Sequence, residues 1–237
     1  MRSEIVFLSG FTLSRPIWQF QEEALSKNFN LKFFEQSNDK TFLDFAQRLS
    51  RSIDDSIHLI AHSMGGMVAQ LFALHYPEKL KSLTLVCTSP KFISDSTWTH
   101  GIRSGAHKIL GKQISQNLQE GLAQFVKAAT ADHLNGYDPE LLKMIREASR
   151  THKEFATNMM NELFQFNLLN EIKNIKTPTL IFSGEKDPLC PAGASLTLKE
   201  NLSNSKLYEF KNEGHFPFLT QPSEFNRLTL EFISAHD

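Results

Sequence analysis

Three polar residues in this sequence could together perform acyl transfer. Ser63 lies in the stretch AHSMGG, Asp187 in LIFSGEKDPLCP and His215 in YEFKNEGHFPFL. A serine hydroxyl becomes a good nucleophile when a histidine removes its proton and a carboxylate orients that histidine. Each residue follows an apolar run typical of a buried strand, in the order serine, acid, histidine. The pattern predicts Ser63 as nucleophile, His215 as base and Asp187 as orienting acid. Glu185 is the other acid candidate, and Asp187 is preferred because the loop turns there.

The residues around Ser63 fit a sharp turn from a strand into a helix. Such a turn tolerates only small residues two positions before and two after its apex, and Ala61 and Gly65 occupy these positions. The turn would also put the backbone N–H of Met64 at a helix start, where negative charge is stabilised. The alternative is that Ser63 only caps the helix.

A second oxyanion donor is predicted in the stretch FLSGF, at the end of the first strand. Gly10 allows the backbone to approach the serine closely. The N–H of Phe11 would then join that of Met64 in an oxyanion hole. The alternative is that Ser9 and Gly10 form an ordinary loop.

Strand-like and helix-like segments alternate along the chain and would position these residues. Apolar runs predict six strands, over residues 4–10, 31–35, 56–61, 82–87, 177–185 and 206–210. Strands that are apolar on both faces and alternate with helices indicate a mostly parallel sheet covered by helices on both faces. The expected fold class is therefore α/β, with about six strands.

Residues 90–174 show helical periodicity and no convincing strand, which predicts a helical cap inserted after the fourth strand. The clearest helical pieces begin at Leu118 and Asp138. Asp138 would cap a helix with Pro139 in its first turn. The predicted domains are a core, residues 1–89 and 175–237, and a cap, residues 90–174.

Composition and charge exclude several functions. The 237 residues are 41% hydrophobic and 22% charged, which is ordinary for a globular protein with a sizeable core. A formal net charge of −1 argues against non-specific nucleic-acid binding, which needs a basic excess. The N-terminal apolar run is too short for a signal peptide or a membrane helix, and Cys87 and Cys190 do not make a disulfide framework. We therefore expect a cytoplasmic protein without a membrane or nucleic-acid partner.

Neither a cofactor nor a metal is expected. The sequence has no Gly-rich phosphate loop with a lysine and no dinucleotide-binding fingerprint. His58 and His62 are four residues apart but on a strand and its turn, so they do not share a helix face as a pair of zinc ligands would. The cap histidines, among them His107 and His133, are expected on the surface.

The motifs FLSGF, AHSMGG, LIFSGEKDPLCP and EGHFPFLTQPSEF together resemble the α/β-hydrolase superfamily over nearly the whole chain. Within it, the chain is most similar to the pimeloyl-ACP methyl ester carboxylesterases of biotin synthesis, the BioH type. That similarity rests on LVCTSPKF with Trp98 shortly after, on GHFPFLTQPSEF and on a cap of similar size. The chain departs from the pattern in starting at what would be the third strand, in having Ser9 at the usual histidine position, and in lacking a Gly-rich loop after the second strand. One wall of the site is therefore expected to be more open.

The resemblance implies a serine carboxylesterase that converts the methyl ester of pimeloyl-ACP into pimeloyl-ACP and methanol, through an acyl-enzyme on Ser63. We expect the protein to be a monomer. The acyl chain would lie between core and cap. The expected substrate-binding residues are His62, Phe92, Trp98, Phe125, Phe155 and Phe216.

The resemblance also implies an acidic acyl carrier protein that docks on basic residues of the cap. The candidate contacts are Lys127, Lys143, Arg146 and Arg150. The last three are spaced three and four apart and so share a helical face. The alternative is a solvated face that also carries Glu140 and Glu147.

Two other interpretations stay open. A general short-chain carboxylesterase, a thioesterase or a hydrolase of carbon–carbon bonds would have the same motifs. A non-catalytic binding module could also retain the fold, although a complete serine, acid and histidine set argues against it.

Overall fold

A computed structural model describes residues 2–131 and 137–237 of the chain. Within these residues six strands form one sheet in the order β2-β1-β3-β4-β5-β6, and every neighbouring pair is parallel. The strands are β1 (Glu4–Leu8), β2 (Asn30–Phe33), β3 (Ile57–His62), β4 (Leu80–Val86), β5 (Thr179–Gly184) and β6 (Ser205–Phe210). The predicted α/β class and its six parallel strands are confirmed.

The described residues also form ten α-helices, and those that connect the strands cover both faces of the sheet. The helices are α1 (Gln19–Leu25), α2 (Phe42–Arg51), α3 (Met64–His75), α4 (Ser104–Gln116), α5 (Leu118–Ala129), α6 (Pro139–Ala148), α7 (Lys153–Gln165), α8 (Ala192–Asn201), α9 (Pro217–Thr220) and α10 (Pro222–Ser234). α1 packs against α10 and α2 against α3, on opposite faces because the crossovers are right-handed. In residues 2–131 and 137–237, no helix combines the length and hydropathy needed to cross a membrane.

The central strands are apolar on both faces because helices cover both. Every residue of β3 (IHLIAH) and of β5 (TLIFSG) is buried, whereas the edge strand β6 is mostly half-buried. An apolar side chain on either face of a central strand therefore leaves water on folding, which stabilises the sheet by about 25 cal/mol for each Å² of apolar surface buried. This buried sheet is the rigid support from which the site residues project.

Between β4 and β5 the chain forms α4, α5, α6 and α7, in the region predicted as a helical cap. α6 begins as predicted, with Pro139 in its first turn and the Asp138 carboxylate accepting a hydrogen bond of 2.9 Å from the Glu140 N–H. The piece predicted from Asp138 onward is divided into two helices by a break at Ser149 and Arg150. The domain boundaries given above stay a prediction.

The sheet reverses its direction of growth at β1. The chain leaves β1 for β2 on one side and returns to β3 on the other side. At such a reversal the carboxyl ends of the two strands open a crevice in which ligands bind. Gly10 follows the end of β1 and Ser63 follows the end of β3, so both lie at this crevice.

Candidate active site

Ser63 stands at the apex of the turn from β3 into α3. Its backbone has φ 54° and ψ −121°, on the positive-φ side that residues other than glycine rarely adopt. Two hydrogen bonds from the end of β4 fix this conformation. The Ser63 N–H donates to the Val86 carbonyl at 2.9 Å, and the Thr88 hydroxyl donates to the Ser63 carbonyl at 2.7 Å. The Ser63 side chain makes no capping hydrogen bond to α3, so the alternative of a simple helix cap is not what the structure contains.

The glycine after the serine turn is required by the closeness of β1. A Cβ on Gly65 would lie 2.6 Å from the Ser9 carbonyl oxygen and 2.7 Å from that of Leu8. Real Cβ atoms do not approach backbone oxygens so closely, because their van der Waals radii would overlap. Gly65 therefore lets the start of α3 press directly against the end of β1, which brings the segment after β1 next to Ser63.

Ser63, His215 and Asp187 form a continuous chain of hydrogen bonds. Ser63 Oγ lies 3.0 Å from His215 Nε2, and His215 Nδ1 lies 2.8 Å and 2.9 Å from the two carboxylate oxygens of Asp187. All three residues are buried. Asp187 can only accept when ionised, so His215 Nδ1 carries the proton in this bond. Nε2 is then free to accept the proton of Ser63 Oγ.

The Asp187 carboxylate is itself fixed by its own loop. Its Oδ1 accepts hydrogen bonds of 2.8 Å from the Leu189 N–H and 2.9 Å from the Cys190 N–H. An aspartate that bonds the backbone two and three residues ahead is a recognisable turn signal, and the motif DPLC contains it. These two donors were not identified from the sequence.

Glu185, the other candidate acid, lies elsewhere on the surface of the loop. Its carboxylate accepts a hydrogen bond of 2.8 Å from the Asn212 N–H and lies 3.7 Å from the Lys211 ammonium. The Asn212 bond and the Lys211 charge lower the pKa of Glu185. No hydrogen bond joins it to His215 within the described part of the chain, so Asp187 alone of the two can orient the imidazole.

The segment after β1, which carries the predicted second oxyanion donor, lies against the serine. A Cβ on Gly10 would lie 3.1 Å from the Ser63 Cβ, so this backbone touches the serine side chain. Phe11 and Met64 are both buried beside it. In residues 2–131 and 137–237 no protein acceptor takes a hydrogen bond from either amide. Two such N–H groups beside a serine are what an oxyanion hole requires.

His62 packs behind the base. Its ring lies 4.7 Å from that of His215 and 5.0 Å from that of Phe218, and its Nε2 donates to the His215 carbonyl at 3.0 Å. Burial, reinforced by the nearby His215, lowers the pKa of His62 well below its usual value. His62 is therefore a fully buried support of the His215 backbone, and its predicted contact with substrate stays a prediction.

An apolar cavity of about 470 Å³ lies between the helices α4, α5 and α7 and the loop that follows Asp187. Phe92 and Phe125, two of the predicted substrate residues, line it, together with Leu163 and Leu189. The Phe125 ring meets the Phe11 ring edge-on, with centroids 5.0 Å apart. The cavity thus borders the loop after Asp187, and its wall residue Phe125 contacts Phe11, although Ser63, Asp187 and His215 themselves do not line it.

The other predicted substrate residues lie outside the lining of this cavity. Phe216 packs on the His215 ring with centroids 5.2 Å apart. Trp98 is buried and donates its Nε1–H to the Lys91 carbonyl at 2.9 Å. Phe155 packs against Phe45 and borders a separate polar groove of about 270 Å³.

The predicted carrier contacts are all exposed. Lys127 lies on α5, Lys143 and Arg146 lie on α6, and Arg150 follows α6 directly. Lys143 and Arg150 line a polar groove of about 560 Å³ that Glu147 also borders. Glu140 lines the groove as well, so the groove carries two acidic and two basic side chains, and any basic excess of the surface comes from Lys127 and Arg146 outside it.

One of the cap histidines is not where the sequence predicted. His107 is buried because its Nε2 donates to the Met160 carbonyl at 2.9 Å, and its ring packs edge-on against Phe92. Burial lowers the pKa of His107. The surface prediction is therefore wrong for His107, and the prediction for His133 falls outside the described residues.

A potential metal-ligand set lies at the back of the triad. Among the described residues, the thiol of Cys87, the Asp187 carboxylate and the His215 imidazole offer ligand atoms within 4.8 Å of one another. Asp187 and His215 already bond to each other. Burial, with the neighbouring Asp187 charge, raises the pKa of the Cys87 thiol well above its usual value, which opposes the thiolate form that metals bind.

Comparisons with known proteins agree with this geometry. A family model described as the alpha/beta hydrolase fold matches residues 8–222. The chain is 29% identical to a pimeloyl-[acyl-carrier protein] methyl ester esterase from Chromobacterium violaceum over 179 residues, 75% of this chain and 70% of that protein. It is 24% identical to a protein of the same name from Nitrosomonas europaea over 236 residues, 94% and 92% of the two chains. The solved structure of an esterase from Exiguobacterium antarcticum aligns with a TM-score of 0.88 at 19% identity, covering 98% of this chain and 92% of that one.

Proposed function

The chain belongs to the α/β-hydrolase fold family, and from this premise we propose that it is a serine carboxylesterase whose substrate is the methyl ester of pimeloyl-ACP. The observation that carries the esterase proposal is the hydrogen-bonded chain from Ser63 through His215 to Asp187, beside the amides of Phe11 and Met64. The names of the relatives from Chromobacterium and Nitrosomonas support the choice of substrate.

In the proposed first half-reaction, His215 Nε2 takes the proton of Ser63 Oγ as this oxygen attacks the ester carbonyl carbon. The carbonyl oxygen gains negative charge and accepts hydrogen bonds from the Phe11 and Met64 amides. Asp187 stabilises the imidazolium that forms. When the intermediate collapses, the carbon–methoxy bond breaks and His215 gives its proton to the departing oxygen, which leaves as methanol.

In the second half-reaction, water replaces methanol. His215 removes a proton from a water molecule while the water oxygen attacks the acyl-Ser63 carbonyl. The same two amides stabilise the new oxyanion. Collapse breaks the bond to Ser63 Oγ, which recovers its proton from His215, and the product leaves as a free carboxylate.

The apolar cavity supports an aliphatic acyl substrate. The reacting ester of pimeloyl-ACP methyl ester is at the end of the chain that is remote from the carrier, so the methylene chain must lead from Ser63 toward the surface. The cavity bordered by Phe92, Phe125 and Leu189 does not reach Ser63 itself, and we propose that it receives the methylenes beyond the Phe11 and Phe125 rings. Phe216 would contact the substrate next to His215, and His62 would act through the His215 backbone.

The basic surface supports a carrier-bound substrate. Lys143 and Arg146 lie on α6, Arg150 lies in the break that follows it, and Lys127 extends this surface to α5. We propose that an acidic carrier protein docks there through charge complementarity, which steers association more than it adds affinity. The proposal includes a monomeric, cytoplasmic enzyme, in keeping with two buried cysteines that form no disulfide.

The test is hydrolysis of purified pimeloyl-ACP methyl ester by the wild type and by Ser63→Ala. We expect free pimeloyl-ACP with the wild type and none above the uncatalysed rate with the variant. A panel of short p-nitrophenyl esters and acyl thioesters run in parallel separates the alternatives. Activity on the panel without activity on the carrier ester would indicate a general esterase or thioesterase instead. Failure of a fluorophosphonate to label Ser63 would favour a non-catalytic binding module.

Carrier docking has its own test. Lys143→Glu combined with Arg146→Glu should raise KM for the carrier ester about tenfold and leave kcat/KM for a p-nitrophenyl ester unchanged. Lys206→Glu on the edge strand β6 combined with Lys173→Glu makes the same change in net charge at two exposed lysines outside α4–α7 and serves as the control. An equal effect of both changes would show that only net charge matters and would remove α6 as the docking site.

A further inference from the structure

The turn that follows β1 is held in an unusual conformation. The Leu13 N–H donates to the Gly10 carbonyl at 3.1 Å, which closes a tight turn around Phe11 and Thr12. Thr12 has φ 61°, in the left-handed region that a β-branched residue avoids because its side chain crowds the backbone. Thr12 is also fully buried. A strained, buried turn persists only when its surroundings hold it in place.

The residues at the end of α6 provide that hold. The Arg150 N–H donates to the Thr12 carbonyl at 3.0 Å, and the hydroxyls of Thr12 and Ser149 are hydrogen-bonded at 3.1 Å. Leu13 and Ser149 form an isolated antiparallel bridge. The Ser14 hydroxyl donates to the Ala148 carbonyl at 2.9 Å. The break between α6 and α7 therefore holds this turn through hydrogen bonds, although the two segments are more than 130 residues apart in the chain.

From these contacts we infer that Thr12 and Ser149 are positioning residues for the oxyanion donor. The inference rests on the proposed function, in which the Phe11 N–H stabilises the oxyanion. Neither hydroxyl touches the substrate. Their hydrogen bond fixes the backbone on the far side of Phe11, so the Phe11 amide keeps its direction toward Ser63 only while the end of α6 is seated on the turn.

A positioning role of this kind has a specific kinetic signature. The oxyanion exists in the transition state and not in the bound ester, so a misdirected amide lowers kcat and leaves KM nearly unchanged. Complete removal of one oxyanion donor costs about 10²–10³-fold in kcat. Loss of the Thr12–Ser149 bond leaves the donor present but less well aimed, and we expect a smaller loss, about tenfold.

The experiment compares Thr12→Val, which keeps the branched shape and removes the hydroxyl, with Ser149→Ala, Thr12→Ser and the double variant T12V/S149A. On p-nitrophenyl butyrate, T12V and S149A should each lose about tenfold in kcat with KM within about twofold of the wild type. T12S keeps the hydroxyl and should stay near the wild type. The double variant should lose no more than either single variant, because all three remove the same bond. Thr130→Val is the control, since among the described residues its hydroxyl donates to the Val126 carbonyl at the end of α5 and not to the Thr12 turn.

A second readout separates positioning from general loosening. Butylboronic acid adds to Ser63 Oγ and gives a tetrahedral anion that the same amides would hold. Its inhibition constant should rise in T12V and S149A in proportion to the fall in kcat. The inference is overturned if kcat is unchanged in both variants or if only KM changes. It is also overturned if kcat falls while the boronate binds as tightly as to the wild type.

The two proposals fail separately. If Ser63→Ala keeps the activity of the wild type, the proposed function is wrong and the inference fails with it. If Ser63→Ala is inactive while T12V and S149A behave as the wild type, only the positioning role is wrong. Urea midpoints for each variant establish that it is folded, and S149A keeps the test usable if T12V does not fold, because Ser149 is only half-buried.

Discussion

Replacement of Asp187 by asparagine should disable the base without disturbing the loop that carries it. The Leu189 and Cys190 N–H groups both donate to Oδ1, so an asparagine would keep its carbonyl oxygen there and turn its NH₂ group toward His215 Nδ1. An NH₂ group can only donate, so Nδ1 would have to accept and the imidazole proton would move to Nε2. His215 could then no longer take the proton of Ser63 Oγ.

The size of this effect follows from the role of the tautomer. The equivalent asparagine substitution in the chymotrypsin-type triad lowers kcat about 10⁴-fold, which is about 5 kcal/mol of transition-state stabilisation. We expect a loss of this order for Asp187→Asn on p-nitrophenyl butyrate at pH 7.5, with a urea midpoint close to that of the wild type. Glu185→Gln changes the neighbouring carboxylate in the same way and should keep kcat within about twofold, because Glu185 bonds Asn212 rather than the base. A folded D187N enzyme with more than a tenth of the wild-type rate, or an equal loss in E185Q, would refute the assignment of Asp187.

Two further predictions concern stability. Gly65→Ala should lower the free energy of unfolding by about 1–3 kcal/mol and reduce kcat, because its Cβ would meet the Ser9 carbonyl oxygen at 2.6 Å. Gly105→Ala on α4 is the control, because a Cβ there meets open space, and it should leave the free energy of unfolding unchanged or raise it in the same urea titration. The free energy of unfolding should also fall as the pH drops below about 6.5, because burial lowers the folded-state pKa of His58, His62 and His107 and the unfolded chain takes up protons first. Each histidine lowers the free energy of unfolding by at most about 1.4 kcal/mol per pH unit until its folded pKa is reached. The urea midpoint of His107→Gln should therefore fall less steeply between pH 7.5 and 5.5 than that of the wild type. An equally steep fall in that variant would show that His107 does not contribute to the pH dependence.

The meeting of Ser63, Asp187 and His215 could be anticipated because each follows a predicted strand of a parallel sheet. The carboxyl ends of parallel strands share one edge of the sheet, so residues far apart in sequence arrive together, whether their strand is buried like β3 and β5 or lies at the edge like β6. The small residues on either side of Ser63 also predicted the sharp turn from strand to helix at that position. The roles of the three side chains in catalysis stay predictions that the kinetic experiments above address.

Some positions depend on tertiary contacts that residue type does not determine. Of the aromatic residues Phe92, Trp98, Phe125 and Phe155, Phe92 and Phe125 line the cavity, and the part of Trp98 and Phe155 in substrate binding stays a prediction. His107 was assigned to the surface because a polar residue on an amphipathic helix normally faces water, yet it finds a buried carbonyl.

The helical region was the hardest to predict in detail. α4 contains Gly105 and Gly111, which lower its helix propensity, and its inward positions include a histidine rather than an apolar residue. The break after α6 carries no strong local signal, because Ser149 and Arg150 are ordinary helix residues. Its cause is the long-range hydrogen bond from Arg150 to Thr12, which no local pattern can reveal.

The central claim is that Ser63 carries the acyl group during hydrolysis of pimeloyl-ACP methyl ester. The direct measurement is acid quenching of the wild-type enzyme in the first turnovers with that ester, followed by mass spectrometry of its peptides. We predict an acyl adduct on the peptide that contains Ser63, together with free pimeloyl-ACP in the supernatant, and neither with Ser63→Ala. Hydrolysis of the ester at equal rates by both proteins, or an adduct on any other residue, would contradict the account.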